Sequence, residues 1–373
     1  MRKLLLLILL LMCLAGCQRQ YQSVKEMKSF EYKKLPAIDL EGLKVSQMTL
    51  EEKIYQMLIL GFDGTEVSAE LEDRLDHKLG GVILFSRNIS SAEQVLKLNQ
   101  QIADVQRDIP PFIGVDQEGG SVNRLPAEMG NTPPAFLMAQ SGDKGYVYQA
   151  GSWNGRMLKQ LGFNLDFSTV LDIWTNPANK VIGDRSFGTT PEAVTAYARA
   201  FNRGIQSEGI VTVGKHFPGH GDTLLDSHHA LPVSHADMKR LDKVELVPFR
   251  KLKDEVDMMM VSHIVLSELD DKPSSLSRAV TTGLLQQQLG FHDVVITDDM
   301  AMGAIANGYG QAEAAVMAIQ AGNTMVLIGS NIRDADQLVG AIAAKVHSGD
   351  IKASQIDENV QKILRLKSKY AIL

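Results

Sequence analysis

The stretch KHFPGHGDTLLDSHHA, residues 215–230, holds four of the chain's nine histidines. Histidine is the side chain whose unperturbed pKa lies nearest neutrality, and a neighbouring carboxylate favours its charged form. Asp226 and His228 stand two residues apart, close enough for a carboxylate–imidazole contact if the loop turns correctly. Such a pair can protonate a leaving group and later deprotonate a water. It needs a partner that stabilises or attacks an electrophile, and Asp298, where an apolar run stops, is the best candidate. A metal site is the competing chemistry. His216 and His220 have the i, i+4 spacing that puts two ligands on one helix face, and Asp226 and His228 could add more. Pro218, Gly219 and Gly221 make a helix there improbable, and no HExxH-type base or thiolate accompanies the histidines. The expectation is proton transfer without a metal.

These residues need a frame. Thr49-Leu50-Glu51-Glu52 reads as a capping box opening a helix. Eight short apolar runs follow: MLILGF (57–62), GGVILF (80–85), PFIGVD (111–116), FNLDFS (163–168), VTVGKHF (211–217), DMMMVSHI (257–264), DVVITDD (293–299) and NTMVLIGS (323–330). Amphipathic stretches such as AEQVLKLNQQIADVQ and TAYARAFNRGIQSEG lie between most of them. Apolar runs without strict alternation suit strands buried on both faces, as in parallel sheets. Eight strand–helix units predict an α/β fold, a single (β/α)8 TIM-type barrel. A doubly wound open sheet is the runner-up, although no G-x-G-x-x-G follows the first strand. A barrel gathers function at the C-terminal ends of its strands. Those ends are Asp116-Gln117-Glu118, Asp172, Lys215-His216, Ser262-His263 and Asp298-Asp299.

The chain begins differently. Arg2 and Lys3 precede an apolar run, Leu4 to Ala15, that is too short for a membrane span but suits a signal-peptide core. Leu14-Ala15-Gly16-Cys17 resembles a bacterial lipobox, which makes Cys17 a lipidation site. Residues 1–16 are therefore expected to be a lipoprotein signal peptide, 17–45 a tether and wrapping segment, and 46–373 the folded domain. The expected location is the extracytoplasmic face of a bacterial cell membrane, held by lipid. With Cys13 removed and Cys17 acylated, no thiol is left for a disulfide, a thiolate metal site or a Cys nucleophile. A net charge of −6 argues against a nucleic-acid partner.

KHFPGHGD followed by DSH, with DQEGG, IGDRSFG, SHI and VITDDMAM, resembles glycoside hydrolase family 3, in particular its bacterial β-N-acetylglucosaminidases. The likeness runs from about residue 49 to the closing NVQKILRLKSKY. It implies a barrel, no cofactor, and a retaining double displacement through a covalent glycosyl-enzyme. It implies that Asp298 is the nucleophile, with Asp299 as rival or as a cap on the following helix. It implies His228 as acid/base and Asp226 as its partner, in place of the usual second carboxylate. Many family members have a second domain supplying a carboxylic acid, and this chain ends too soon to contain one. Glycines around the loop suit a segment that brings His228 in when substrate binds. Sugar contacts carried over by motif are Asp116, Arg124, Arg185, Lys215 and His216. Many relatives have Arg directly after the double Gly, where this chain has Ser121, so the contact of that missing Arg is in doubt. Met302 and His263 are read as pocket lining or as structural; His220 and His229 receive no role.

The resemblance thus implies an exo-acting enzyme that removes terminal β-GlcNAc from peptidoglycan or chitin-type fragments. A family 3 β-glucosidase and a GlcNAc phosphorylase are the rival enzymes. A lipid-anchored sugar-binding protein is the rival of another class.

Overall fold

The computed structural model describes residues 39–223, 231–330 and 332–373. Residues 1–16, Cys17, Asp226, His228 and His229 lie outside the described residues. One compact unit runs from Glu41 to Leu373.

Each of the eight apolar runs contains a strand. β1 (Leu58–Gly61), β2 (Gly81–Leu84), β3 (Phe112–Val115), β4 (Leu165–Asp166) and β5 (Val211–Phe217) follow one another with helices between. After a two-residue β6 (Val233–Ser234) come β7 (Met258–Val261), a second short strand β8 (Val265–Leu266), β9 (Val294–Thr297) and β10 (Val326–Ile328). The large sheet is parallel, in the order β10-β1-β2-β3-β4-β5-β7-β9. A parallel bridge between Ile296 and Met325 joins its two ends. That bridge removes the open-sheet alternative and makes the fold a single (β/α)8 barrel. Among the described residues β6 and β8 form a separate two-stranded sheet, and no apolar run announces β6.

Every residue of β1, β2, β3, β5, β7 and β9 is buried. Side chains inside the ring pack together, and those outside pack against helices, which is why the runs lack alternation. The capping box at Thr49 forms as expected: Glu52 N–H donates to Thr49 Oγ1 (3.2 Å), and Thr49 N–H donates to Glu52 Oε2 (2.9 Å).

The N-terminal ends of the strands form a floor. There Lys44, on the helix Leu40–Gln47, donates to Asp108 Oδ1 (2.7 Å), and Ser368 Oγ donates to Glu41 (2.7 Å). Lys367 is fully buried in this floor. Its Nζ donates to Gln56 Oε1 (3.0 Å) and lies 5.0 Å from the Phe112 ring centroid. Burial pushes this ammonium down to about 7 from the ordinary lysine value of 10.5. In that interval the unfolded chain holds a proton that the folded chain lacks, so stability rises with pH between about 7 and 10.5. Melting temperature is expected to climb from pH 7 to pH 9.5, and Lys367→Met should remove most of that climb. An unchanged slope in the variant refutes the assignment. Among the described residues, no helix is long and apolar enough to cross a membrane.

Candidate active site

Asp116, Arg124, Arg185, Lys215, His216 and Asp298 all line one recess at the C-terminal mouth of the barrel. Six positions spread over 183 residues of chain are brought together because each follows or ends a strand of the ring. Asp226 and His228 fall outside the described residues, so their place relative to this recess is not described.

The charged wall is built around Glu118, which the sequence marks only as the end of a strand. Arg185 grips it with two parallel bonds, Nε to Oε2 and NH2 to Oε1, both 2.8 Å. Lys215, only 2 % exposed on β5, bridges Asp116 Oδ1 and Glu118 Oε1 at 2.7 Å each. Burial alone raises a carboxyl, but Arg185 and Lys215 overcome it and hold Glu118 well below the usual carboxylate range. Lys215 in turn is held above its ordinary value by Asp116 and Glu118, against its own burial. Glu118 is 5 % exposed and Asp116 is 20 % exposed. Glu118 is thus the internal counter-ion, while Asp116 keeps an edge toward the recess.

Asp172, at the end of the fourth strand run, does the corresponding work for the histidines. Its Oδ2 accepts from His216 Nδ1 (2.7 Å) and from the His216 backbone N–H (3.2 Å), and its Oδ1 accepts from the His220 N–H (2.6 Å). Burial raises this carboxyl and His216 more than offsets it, leaving a carboxylate. With Nδ1 bonded to Asp172, His216 turns Nε2 toward the recess, 3.4 Å from Arg185. His220 also lines the recess; its Nδ1 is 2.7 Å from Thr223 Oγ1, and burial depresses its pKa. β5 runs to Phe217, so His216 and His220 do not share a helix face. Among the described residues, no group of three or more His, Cys, Asp or Glu is placed to hold a metal.

The two adjacent aspartates after β9 have different surroundings. Asp299 Oδ1 accepts from the N–H groups of Gly329 (2.7 Å) and Ala301 (2.9 Å), which ties the loops after β9 and β10 together. Burial nevertheless lifts its carboxyl above the ordinary value. Asp298 accepts one backbone bond, from the Asp299 N–H to Oδ1 (2.8 Å). Burial raises it too, but His216 and His263 outweigh that and keep it ionised. His263 is structural as well as close: its ring bridges Ser275 Oγ (2.8 Å) and the Asp299 carbonyl (2.9 Å), bracing the backbone that carries both aspartates. Met302 lines the recess and is 8 % exposed, so it is both packed and adjacent to any ligand.

Carboxylates of unlike environment, two paired cations and an oriented imidazole at a barrel mouth define an enzyme that acts on a hydroxyl-rich substrate. Residues 49–366 match the N-terminal domain of glycosyl hydrolase family 3. The chain belongs to that family and is a glycoside hydrolase. It is 37 % identical over 285 residues to a beta-hexosaminidase of Alkalilimnicola ehrlichii, covering 73 % of this chain and 80 % of that protein. Its fold matches a family 3 beta-N-acetylglucosaminidase from a Paenibacillus species with a TM-score of 0.85 and 38 % identity. That match covers 87 % of this chain and 63 % of the other. A beta-N-acetylhexosaminidase from Beutenbergia cavernae gives a TM-score of 0.81 at 28 % identity, covering 86 % of this chain and 99 % of that one.

Proposed function

We propose that this chain is an exo-acting, retaining β-N-acetylglucosaminidase that removes terminal β-GlcNAc from peptidoglycan or chitin-type fragments. The observation that carries the reading is the contrast after β9. Asp299 is committed to two backbone N–H groups, whereas Asp298 is an ionised carboxylate beside His216 at the recess wall. An ionised carboxylate at the wall of a substrate recess is what attack on an anomeric carbon requires. Asp298 is the nucleophile in this reading, and the glycosyl ester it forms is hydrolysed by water. Asp116, Arg124, Arg185, Lys215 and His216 hold the sugar, with carboxylate accepting from paired hydroxyls and cations donating to oxygens. His228, oriented by Asp226, gives its proton to the leaving oxygen and then takes one from water. Reaction needs no cofactor. Cys17 carries lipid that holds the enzyme on the outer face of the cytoplasmic or another bacterial membrane.

Hydrolysis of aryl β-GlcNAc, assayed against aryl β-glucoside with and without phosphate, tests the reading. Fast release from GlcNAc alone, unaffected by phosphate or chelator, is the expected result. Preference for glucoside points to a β-glucosidase. Acceleration by phosphate points to a phosphorylase, since a neutral imidazole repels incoming phosphate less than a carboxylate does. In the same assay His228→Gly should spare good leaving groups and slow poor ones by roughly 10²- to 10⁴-fold. Equal slowing of both classes removes His228 from the acid role.

A further inference from the structure

Gln117 stands between Asp116 and Glu118 but is fully buried and does not line the recess. Its backbone is fixed on both sides: the N–H donates to Asp166 Oδ1 (3.0 Å), and the carbonyl accepts from Asn154 Nδ2 (3.0 Å). Its side chain reaches forward across the loop. Oε1 accepts from the backbone N–H groups of Arg124 (3.0 Å) and Leu125 (3.3 Å), and Nε2 donates to Asn123 Oδ1 (2.8 Å).

The loop it spans reverses tightly. Gly119 (φ +91°) and Gly120 (φ +54°) take left-handed conformations, and Glu118 N–H donates to the Val122 carbonyl (3.0 Å). A Cβ on Gly119 would lie 2.3 Å from Thr132 Oγ1, so the reversal leaves no room for another residue there. The chain thus returns toward the recess at Arg124. The Arg124 guanidinium makes no hydrogen bond or ion pair with another described residue, unlike Arg185 and Lys215. Its placement is therefore set through its backbone, and one amide side chain holds that backbone.

We infer that Gln117 is a positioning residue for substrate binding: its side-chain oxygen, anchored on the Arg124 and Leu125 N–H groups, aims Arg124 into the recess. This rests on the proposed contact of Arg124 with the sugar. The amide polarity matters, because Nε2, donating to Asn123 Oδ1 (2.8 Å) and more weakly to Asn131 Oδ1 (3.4 Å), is what turns Oε1 toward Arg124.

Steady-state kinetics on aryl β-GlcNAc with Arg124→Ala, Gln117→Met and the double variant decide the matter. Gln117→Met removes the acceptor while keeping length, and is expected to raise KM on the order of 10- to 100-fold with kcat little changed. Gln117→Glu keeps an acceptor oxygen but loses the Nε2 donor, so it should relieve the rise in KM only in part. In the Arg124→Ala background, Gln117→Met should add less than about twofold, because both changes act through one guanidinium. Asn123→Ala, at a partly exposed position, loosens the same amide without opening the core. It should raise KM less and show the same loss of effect beside Arg124→Ala, and it serves alone should Gln117→Met not fold. A KM penalty that persists in full in the Arg124→Ala background overturns the inference, as does an unchanged KM in Gln117→Met. An unchanged KM in Arg124→Ala alone refutes the sugar contact itself, and the inference falls with it.

Discussion

Asp298→Asn is expected to lower kcat/KM on aryl β-GlcNAc by at least about 10³-fold, while Asp299→Asn stays within about tenfold. The two changes are chemically identical and one residue apart, so their difference isolates the role of each oxygen. An amide at 298 has no charge with which to form a glycosyl ester. An amide at 299 still presents an oxygen to the N–H groups of Gly329 and Ala301, which is the work that side chain does. Asp298→Asn should change its melting temperature little, because the amide oxygen still accepts from the Asp299 N–H and the lost attraction to His216 and His263 is offset by relief of a buried charge. A slow fluorinated β-GlcNAc donor should label the peptide bearing Asp298, seen as a mass increase. Full activity in Asp298→Asn, or a label on Asp299, transfers the nucleophile role to the neighbour.

The second large effect is on Glu118. Glu118→Gln keeps the shape and removes the charge shared by the buried Lys215 and the part-buried Arg185. Removing one partner of a buried ion pair typically destabilises by about 3–5 kcal/mol, because the remaining charge is left without compensation. The fall in stability should be near that range and should be accompanied by a rise in KM, since Arg185 and Lys215 lose their fixed positions together. Thermal unfolding and KM measured on the same samples check both. The exposed pair Arg107–Asp104 is the internal control. Breaking it by Asp104→Asn should have no measurable effect on either quantity, as is usual for surface pairs. A melting temperature and KM unchanged in Glu118→Gln would show that Asp116 alone neutralises the wall.

The barrel was legible because its signal is repeated. Eight apolar runs, each needing burial on two faces, leave few other architectures, but closure of the ring by the Ile296–Met325 bridge and the trimming of most runs to their hydrogen-bonded part are not written in the sequence. FNLDFS, for instance, contributes just Leu165–Asp166 to the sheet. β6 could not be read, since two residues carry no periodicity, and the π-helical turn path of Ala279–Gln288 has no composition that distinguishes it from an α-helix. Among site residues, those at strand ends were found by position. Glu118 stands at a strand end, but an acidic residue before two glycines reads as part of a turn. Its partners are 67 and 97 positions away, and nothing local reveals them. Gln117 was hidden for a simpler reason: its work is done on backbone N–H groups, whose identity leaves no trace in a residue pattern.

The floor of the barrel has a mechanical meaning. Lys44 on Asp108 and Glu41 under Ser368 attach the start of the folded unit to the side away from the recess. A force applied to the folded unit at Glu41 enters at that side and is borne by the first helix and the last. The strand ends carrying Asp116, Lys215 and Asp298 are outside the line of force. The start of the folded unit and the recess therefore lie at opposite ends of the barrel, and a load on the one need not pass through the other.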